Sequence, residues 1–173
     1  LLQVLDEGRM TDGQGRVVNF KNTIIIMTSN MGQEIIREYL LNSDLNDSLV
    51  QRTSDAVMDQ MKRKVAPEFL NRIDDVVMFL PLTKDEIAQI VQLQLKLLKK
   101  RLLDQDIQID FDENVTNFLT NKSYIPEFGA RPVKRVIDEL IVDALGMFLL
   151  NGGINKTSLI YIRYNNDSIE FSN

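Results

Sequence analysis

Two short runs of apolar residues without polar alternation, 24–27 and 76–80, lie in the first half of the chain. Unbroken apolar runs are typical of strands buried on both faces, as in a parallel sheet covered by helices. The first run ends at three polar residues, Thr28, Ser29 and Asn30. Because ligands of open α/β sheets bind outside the carboxyl ends of the strands, these three are candidate site residues. Strand-end turns and helix caps use the same residue types, so that alternative stays open.

Helical spacing and turn residues organise the remainder of residues 1–80. Leu1 to Glu7 predicts the end of an amphipathic helix that Gly8 terminates, and Asp12 to Gly15 predicts the turn of a hairpin. The polar stretch 42–54 predicts a mobile surface segment. The other predicted elements are hairpin arms at 9–11 and 16–20 and helices at 31–41 and 56–65.

A domain boundary is predicted at Pro81 to Thr83. Thr83 and Glu86 have the spacing of a capping box, which predicts the start of a long helix. Its apolar residues recur on one face, at 87, 91, 95, 98 and 102. The remaining patterns predict a strand at 107–111, a short helix capped by Asp112, a helix opened by Gly129 to Pro132 and ended by Gly152 and Gly153, and a two-stranded ending from Leu159 to Phe171.

The composition narrows the function classes. With 173 residues, 44% hydrophobic and 26% charged, the sequence predicts a soluble globular protein with a sizeable core. The absence of His and Cys excludes the usual hydrolase triads, thiol nucleophiles and cysteine zinc sites, and no metal site is predicted. The net charge of −5 argues against binding of nucleic acid. The basic cluster at 96–101 shares a helix with an apolar stripe, which indicates a solvated face.

The hydrophobic pattern predicts no membrane-spanning segment. No apolar run approaches the roughly 20 residues that a membrane span needs, and no signal peptide opens the chain, so a cytoplasmic location is expected. The chain starts at Leu1 without Met, in the middle of a predicted helix, and we expect it to be an excised fragment.

Two stretches near the start imitate ATPase motifs. Val4 to Glu7 resembles the apolar run plus Asp-Glu that ends a metal-binding ATPase strand, but Gln3 interrupts the run and Gly8 closes it as a helix end would. Gly8 and Gly13 have the spacing of a phosphate-binding P-loop, but Gln14-Gly15 replaces the Lys-Ser/Thr that would contact phosphate and magnesium. The sequence therefore indicates that this chain has no P-loop of its own.

Arg131 is a candidate phosphate ligand. It lies with Lys134 and Arg135 in the first turn of a predicted helix, where the backbone already carries partial positive charge. A bound anion would relieve that conflict, and helix N-termini are suited to phosphate. An ion pair between Arg131 and Glu127 or another carboxylate explains the spacing equally well.

Arg72 is a second candidate, just before the predicted strand at 76–80. An arginine in this position can act as an arginine finger that reaches a phosphate bound elsewhere, for instance on another subunit. A local ion pair with Asp74 or Asp75 is the alternative, and sequence spacing does not choose between the two.

Four groups of residues, taken in their order along the chain, resemble a known family. Together they are similar to the C-terminal part of the second AAA+ ATPase module of the Clp family of unfoldases, with most similarity to the ClpB-type disaggregases. The resemblance covers essentially the whole chain. The groups are Leu2 to Arg9 with Thr11 to Arg16, Met27 to Asn30, Pro67 to Asp74, and Gly129 to Pro132.

The resemblance implies roles for the matched residues. Asn30 corresponds to the sensor 1 residue that orients the attacking water, and Arg72 to the arginine finger offered to the neighbouring subunit. Arg131 corresponds to the sensor 2 arginine, beside Ala130 of the same motif. The adenine is expected against the first helix of the small subdomain, with Ile90 as the contact residue.

The resemblance also implies the fold and the organisation of the chain. The fold class is α/β: residues 1–81 would form the C-terminal part of an AAA+ large subdomain with parallel strands, and residues 82–173 a mixed α+β small subdomain of helices with a small sheet. Walker A and Walker B are expected upstream of Leu1, so the fragment is predicted to be inactive alone. ATP and Mg²⁺ are expected as cofactors of the full-length protein, with none held by this chain alone.

For the parent protein, the resemblance implies a cytoplasmic, homohexameric stress-response chaperone with a coiled coil elsewhere in its sequence. It would thread unfolded or aggregated polypeptide with a partner chaperone of the DnaK type, without binding nucleic acid or membrane. Residues 31–54 lack the Ile/Leu-Gly-Leu/Phe tripeptide of peptidase-coupled members. A peptidase-coupled Clp unfoldase and a non-catalytic adaptor or oligomerisation domain remain the alternatives. Ser123 to Pro126 departs from the Gly-Tyr-Asp-Pro of the family.

Overall fold

A computed structural model describes residues 2–40, 46–152, 158–165 and 167–172 of the chain. The chain divides into two compact units, Leu1–Leu80 and Pro81–Asn173. We call them unit 1 and unit 2 and describe each by itself. Helices combined with small sheets confirm the predicted α/β fold class.

In its described residues, unit 1 consists of four helices, of which α3 is the longest with 18 residues, and one two-stranded antiparallel hairpin. The hairpin that the turn residues predicted is present, and it pairs Met10 with Val18. The elements are α1 (Leu2–Glu7), β1 (Arg9–Thr11), β2 (Val17–Asn19), α2 (Gln33–Leu40), α3 (Asp47–Lys64) and α4 (Pro67–Leu70).

Local interactions account for the end of α1 and for the hairpin turn. Gly8 has a positive φ of 63° and donates its N–H to the carbonyl oxygen of Val4 at 2.9 Å, which ends α1 as predicted. In the turn, the Asp12 carboxylate accepts the backbone N–H groups of Arg16 and Gln14. These bonds hold the pKa of Asp12 below its usual value, because they stabilise the ionised form.

The strands predicted at 24–27 and 76–80 are wrong for the described chain. Both segments lack regular secondary structure, and their side chains face solvent, with Ile24 91% and Phe79 85% exposed. An apolar run makes a segment suitable for a buried strand, but a strand forms only where a neighbouring strand accepts its backbone hydrogen bonds. Within the described residues of unit 1 no strand pairs with either segment, so the predicted parallel sheet is absent there.

The start of α3 also differs from the prediction. The polar stretch 42–54 was expected to be a mobile surface segment, but residues 47–54 are helical; residues 41–45 lie outside the described part of the chain. The side chain of Asn46 accepts the backbone N–H of Leu49 at 2.9 Å and starts the helix. Thr53 is fully buried, and its hydroxyl donates to the Leu49 carbonyl oxygen at 2.8 Å.

Gly32 allows α2 and α3 to pack closely. Its φ of +81° lies in the left-handed region, and a Cβ at this position would lie 2.8 Å from both methyl carbons of Val57 on α3. Gly32 and Val57 are both buried, as is Leu40 at the end of α2. The glycine therefore serves both the backbone turn and the contact between the two helices.

Unit 2 packs four helices and a π-helical segment against a three-stranded sheet. The sheet has the order β3-β4-β5, with β3 parallel to β4 and β4 antiparallel to β5. This mixed α+β arrangement was predicted for the small subdomain. The elements are α5 (Lys84–Leu103), β3 (Ile109–Phe111), α6 (Glu113–Ser123), α7 (Arg131–Ile137), the π segment (Asp138–Val142), α8 (Asp143–Leu150), β4 (Ile160–Asn165) and β5 (Ser168–Ser172).

The sheet of unit 2 is larger than the sequence indicated. The pattern predicted a strand near Phe111 and a separate two-stranded ending, but Ile109 pairs with Ile160 and joins all three strands. Parallel pairing of strands that are far apart in sequence leaves no turn signal between them. Gly153, part of the predicted helix end, and Asn166, within the predicted two-stranded ending, lie outside the described residues.

A single hydrophobic core holds unit 2 together. The predicted apolar stripe of α5 is buried except for Leu102, which is partly buried. Fully buried residues of the other elements complete the core, among them Val115 and Leu119 of α6, Ile141 of the π segment, and Ile160 and Ile162 of β4.

The π segment keeps one buried stripe in line along the helix from 131 to 150. The buried residues follow each other every fourth position, at Val133, Ile137, Ile141 and Leu145. With about 3.6 residues per turn in an α-helix, each step of four would rotate the stripe by about 40°. A π turn contains more residues per turn and reduces that rotation. The fourfold spacing therefore fits a helix that is locally unwound at Asp138–Val142.

The capping box at the start of α5 is present as predicted. The Thr83 hydroxyl oxygen accepts the Glu86 N–H at 3.3 Å, and the Glu86 carboxylate accepts the Thr83 N–H at 2.7 Å. The bond from the Thr83 backbone is the main reason that the pKa of Glu86 lies below its usual value of 4.5.

Glu86→Ala is expected to destabilise the chain at neutral pH, and less so in acid. A carboxylate whose pKa is lowered on folding stabilises the folded state above the unfolded pKa, and this stabilisation is lost as the pH falls through the folded pKa. The difference in urea midpoint between Glu86→Ala and the unmodified chain should therefore shrink below pH 4.5. Asp85→Ala is the control, because it removes a first-turn charge outside the capping box. A difference that does not change with pH would contradict this role.

Candidate functional site

Asn30 lies in the irregular segment between β2 and α2. Its side chain is exposed and makes no hydrogen bond within the described residues, while its carbonyl oxygen accepts the Gln33 N–H at 3.2 Å. The neighbouring Ser29 hydroxyl accepts the Met31 N–H at 3.0 Å. Ser29 thus performs the turn chemistry that was the alternative interpretation, and the amide of Asn30 remains available to a ligand.

Arg72 follows α4 and forms an ion pair with Asp6 of α1. Its Nε lies 2.6 Å from Asp6 Oδ1, with 54% of the Arg72 side chain and 37% of the Asp6 side chain exposed. The alternative prediction was an ion pair of Arg72 with Asp74 or Asp75. An ion pair is present, but its partner is Asp6. Asp75 instead accepts the backbone N–H of Val76 at 2.8 Å.

A surface cleft of about 490 Å³ contains the Arg72 ion pair. Leu2 and Asp6 of α1 form one side, and Glu68, Asn71 and Arg72 form the other. The cleft lies entirely within unit 1. Asp6 was not identified from the sequence as a partner of Arg72. The one sequence signal for it is that the last turn of α1 has two acidic residues and no basic residue, which favours a cation from elsewhere in the chain.

Arg131 is the first residue of α7, with Pro132 next to it as predicted. The loop before it is closed by a bridge between Ile125 and Gly129, and the Arg131 N–H donates to the Phe128 carbonyl oxygen at 3.3 Å. The side chain is exposed and takes part in none of the ion pairs formed among the described residues. The predicted alternative, a carboxylate partner, is not formed there.

The two residues expected near an adenine lie at the edge of the core of unit 2. Ile90 on α5 and Ala130 at the N-cap of α7 are half-buried, and both pack against the same buried cluster. Ser123, where the family pattern has Gly, ends α6; its hydroxyl is buried and finds no hydrogen-bond partner among the described residues. The serine thus leaves a buried hydroxyl group without a hydrogen-bond partner among the described residues, which is unfavourable for stability.

No group of three or more acidic side chains that could hold a metal ion is present in the described parts of the chain. The exposed polar groups among the candidate residues are the Asn30 amide and the Arg72 guanidinium in unit 1 and the Arg131 guanidinium in unit 2. Each of these groups donates hydrogen bonds and suits phosphate or water rather than a metal ion.

Both units match known protein families. Residues 1–76 match the AAA domain (Cdc48 subfamily), and residues 82–162 match the C-terminal, D2-small domain of ClpB protein. The Chaperone protein ClpB of Bacteroides thetaiotaomicron is 46% identical over 175 residues, which cover 100% of this chain and 20% of the relative. That of Porphyromonas gingivalis is 47% identical with the same coverage, and that of Agrobacterium fabrum is 46% identical over 99% of this chain and 19% of the relative.

This chain belongs to the ClpB family. It spans about one fifth of the length of the ClpB relatives, for which the covered share is 20% and 19%. The range that matches the ClpB D2-small domain falls within unit 2, and the range that matches the AAA domain falls within unit 1. None of the helices in the described ranges is long and apolar enough to cross a membrane.

Proposed function

We propose that this chain is part of an ATP-driven protein disaggregase that threads unfolded or aggregated polypeptide through a homohexameric ring. The observation that carries this proposal is the identity of 46% with a Chaperone protein ClpB over 100% of the chain. The aligned range spans both units, so every candidate residue lies within it.

In this proposal, residues 1–81 belong to the large AAA+ subdomain and residues 82–173 form the small subdomain. The division of the chain into compact units at Leu80 and Pro81 supports it. The segments 24–27 and 76–80, whose apolar side chains are exposed, would become strands of a parallel sheet in the full-length protein. Burial of their side chains there would supply the hydrophobic stabilisation that the isolated chain lacks.

We assign a role to each candidate residue. Asn30 orients the attacking water as sensor 1, Arg72 acts as the arginine finger on the neighbouring subunit, and Arg131 contacts phosphate as sensor 2. Ile90 and Ala130 contact the adenine. Support comes from the free amide of Asn30, the half-exposed guanidinium of Arg72 and the exposed Arg131 at a helix start.

The chain needs the full-length protein for ATP chemistry. The 173-residue sequence contains no Gly-x-x-x-x-Gly-Lys-Ser/Thr motif. The loop that binds the phosphates and Mg²⁺ would therefore come from another part of the protein. Bound there, ATP would supply the phosphoryl group that is transferred to water, and Mg²⁺ would neutralise charge on the phosphates. Asn30, Arg72 and Arg131 then orient water and stabilise negative charge. We expect no hydrolysis by this chain alone.

The proposed partners are unfolded polypeptide and a chaperone of the DnaK type, in the cytoplasm. The test is reactivation of a heat-aggregated reporter enzyme by the full-length protein with ATP and such a partner. Reactivation supports the disaggregase. ATP-dependent degradation with an added Clp peptidase would favour the peptidase-coupled alternative, and absence of a P-loop in the full-length sequence would favour the adaptor.

Arg131→Ala in the full-length protein is expected to weaken nucleotide binding, hydrolysis or both. Loss of one charge-assisted phosphate contact corresponds to a weakening of about 10-fold or more. The measurements are the Kd of a fluorescent ATP analogue and the steady-state rate of ATP hydrolysis. Lys134→Ala is the control, because it removes a neighbouring exposed cation of the same helix. Unchanged values for Arg131→Ala would refute the sensor 2 role.

A further inference from the structure

Arg72 pairs with a distant carboxylate although closer ones are present. Glu68, Asp74 and Asp75 all lie within four residues of Arg72 in sequence. In the described part of the chain none of them forms an ion pair with Arg72, whose Nε instead lies 2.6 Å from Asp6 Oδ1. The position of α1 beside the segment after α4, rather than sequence proximity, therefore selects the partner.

The electrostatics of α1 explain why Asp6 attracts a cation. Asp6 and Glu7 occupy the last turn of α1, which contains no basic residue. Negative charge is unfavourable at a helix C-terminus, because the backbone carbonyl groups already carry partial negative charge there. Arg9 compensates Glu7 with Nε at 2.7 Å from Oε2, and Arg72 compensates Asp6. Each carboxylate thus has one arginine of its own.

The Asp6 contact orients Arg72 more than it stabilises the fold. Both side chains are partly exposed, and ion pairs screened by water in this way contribute little to stability. An arginine side chain has many rotamers, however, and a charged partner on a helix restricts them. Removing that partner should leave the fold intact and broaden the range of positions that the guanidinium occupies.

We propose that Asp6 is a positioning residue for Arg72. It holds the guanidinium at the cleft formed with Leu2, Glu68 and Asn71, from which Arg72 reaches the nucleotide of the neighbouring subunit. This inference rests on the proposed role of Arg72 as an arginine finger. Catalysis by such a residue depends on its position, and a shift of about 1 Å can cost up to 100-fold in rate.

The test is the kinetics of Asp6→Asn in the full-length protein. We expect kcat for ATP to fall about 3- to 10-fold with KM changed less than about twofold, since a finger acts on the transition state rather than on ATP binding. Asp6→Glu, which keeps the charge, should recover a large part of kcat. Glu7→Gln is the matched control, because Glu7 pairs with Arg9 and not with Arg72. A loss of kcat by Glu7→Gln as large as that by Asp6→Asn would overturn the proposal.

A double-mutant cycle separates positioning from a general structural effect. If Asp6 acts through Arg72, Asp6→Asn should have no further effect on kcat in an Arg72→Ala background. If Asp6→Asn lowers kcat by the same factor with Arg72 present and with Arg72→Ala, the positioning role is overturned. A normal kcat for Asp6→Asn would also overturn it. Neither result affects the finger assignment, provided that Arg72→Ala itself is strongly impaired. Normal turnover by Arg72→Ala would overturn the finger itself, and this inference with it. If Asp6→Asn does not fold, the kcat values of Asp6→Glu and Asp6→Ala are compared instead. A kcat for Asp6→Glu that is no higher than that for Asp6→Ala would overturn the proposal.

Discussion

In the full-length protein, Arg72→Ala is expected to lower the rate of ATP hydrolysis about 1000-fold or more in the ATPase modules to which this chain belongs. The Kd for nucleotide should change by no more than a few-fold. An arginine finger stabilises the charge that develops on the transferred phosphoryl group and is worth about 10³ to 10⁵ in rate. In the proposed hexamer, the nucleotide that Arg72 contacts belongs to the neighbouring subunit, so the binding site of its own subunit should keep its other contacts. Turnover should be measured with any other ATPase module inactivated at its P-loop.

Controls for this prediction come from the same unit. Arg63→Ala removes an exposed arginine of α3 and should leave turnover nearly unchanged. Arg72→Lys keeps the charge but loses the planar fork that binds two phosphate oxygens, so its rate should lie well below that of the unmodified protein. Mixed hexamers provide a further check, because inactive Arg72→Ala subunits should silence their neighbours. Near-normal turnover by Arg72→Ala would remove the finger assignment.

Gly32→Ala is expected to destabilise the chain by about 2 to 5 kcal/mol. The left-handed backbone at a φ of +81° costs a residue with a side chain about 1 to 2 kcal/mol. The added methyl group would also lie 2.8 Å from Val57 Cγ1 and Cγ2, and relieving such overpacking typically costs about 1 to 3 kcal/mol. Urea unfolding of the 173-residue chain, followed by circular dichroism, measures the difference.

The chain offers a control for the glycine substitution. Gly13 has no positive φ, and no atom lies within 4 Å of a Cβ built on it, so Gly13→Ala should change stability by less than about 1 kcal/mol. In a Val57→Ala background, Gly32→Ala should cost less, because the steric part is removed and only the backbone strain remains. An equal cost in both backgrounds would contradict the contact between Gly32 and Val57.

Many local features of this chain could be predicted from the sequence, because a few adjacent residues determine them. Gly8 ends α1, Asp12 orders the hairpin turn, Thr83 and Glu86 cap α5, and Asp112 caps α6 through the Val115 N–H at 2.8 Å. The candidate residues were also selected by sequence, through motifs whose order along the chain resembled the Clp family. Their assigned roles remain predictions that the experiments above test.

Features that depend on distant residues were decided only by the tertiary structure. Strand β3 joins β4 across the whole of α6, α7 and α8, and no local pattern specifies that pairing. The runs 24–27 and 76–80 have the apolar sequence of buried strands, yet they are exposed because no strand pairs with them in the described chain.

The partner of Arg72 illustrates the same division. The sequence by itself made Arg72 a candidate for contact with phosphate, and it placed two acidic residues at the end of the first predicted helix. Sequence proximity favoured Asp74 and Asp75 as partners, whereas the fold brings Asp6 to 2.6 Å from the guanidinium. The reason is physical: caps and turns arise from hydrogen bonds within one or two turns of chain, but an ion pair between distant residues exists only after the elements that carry them have packed.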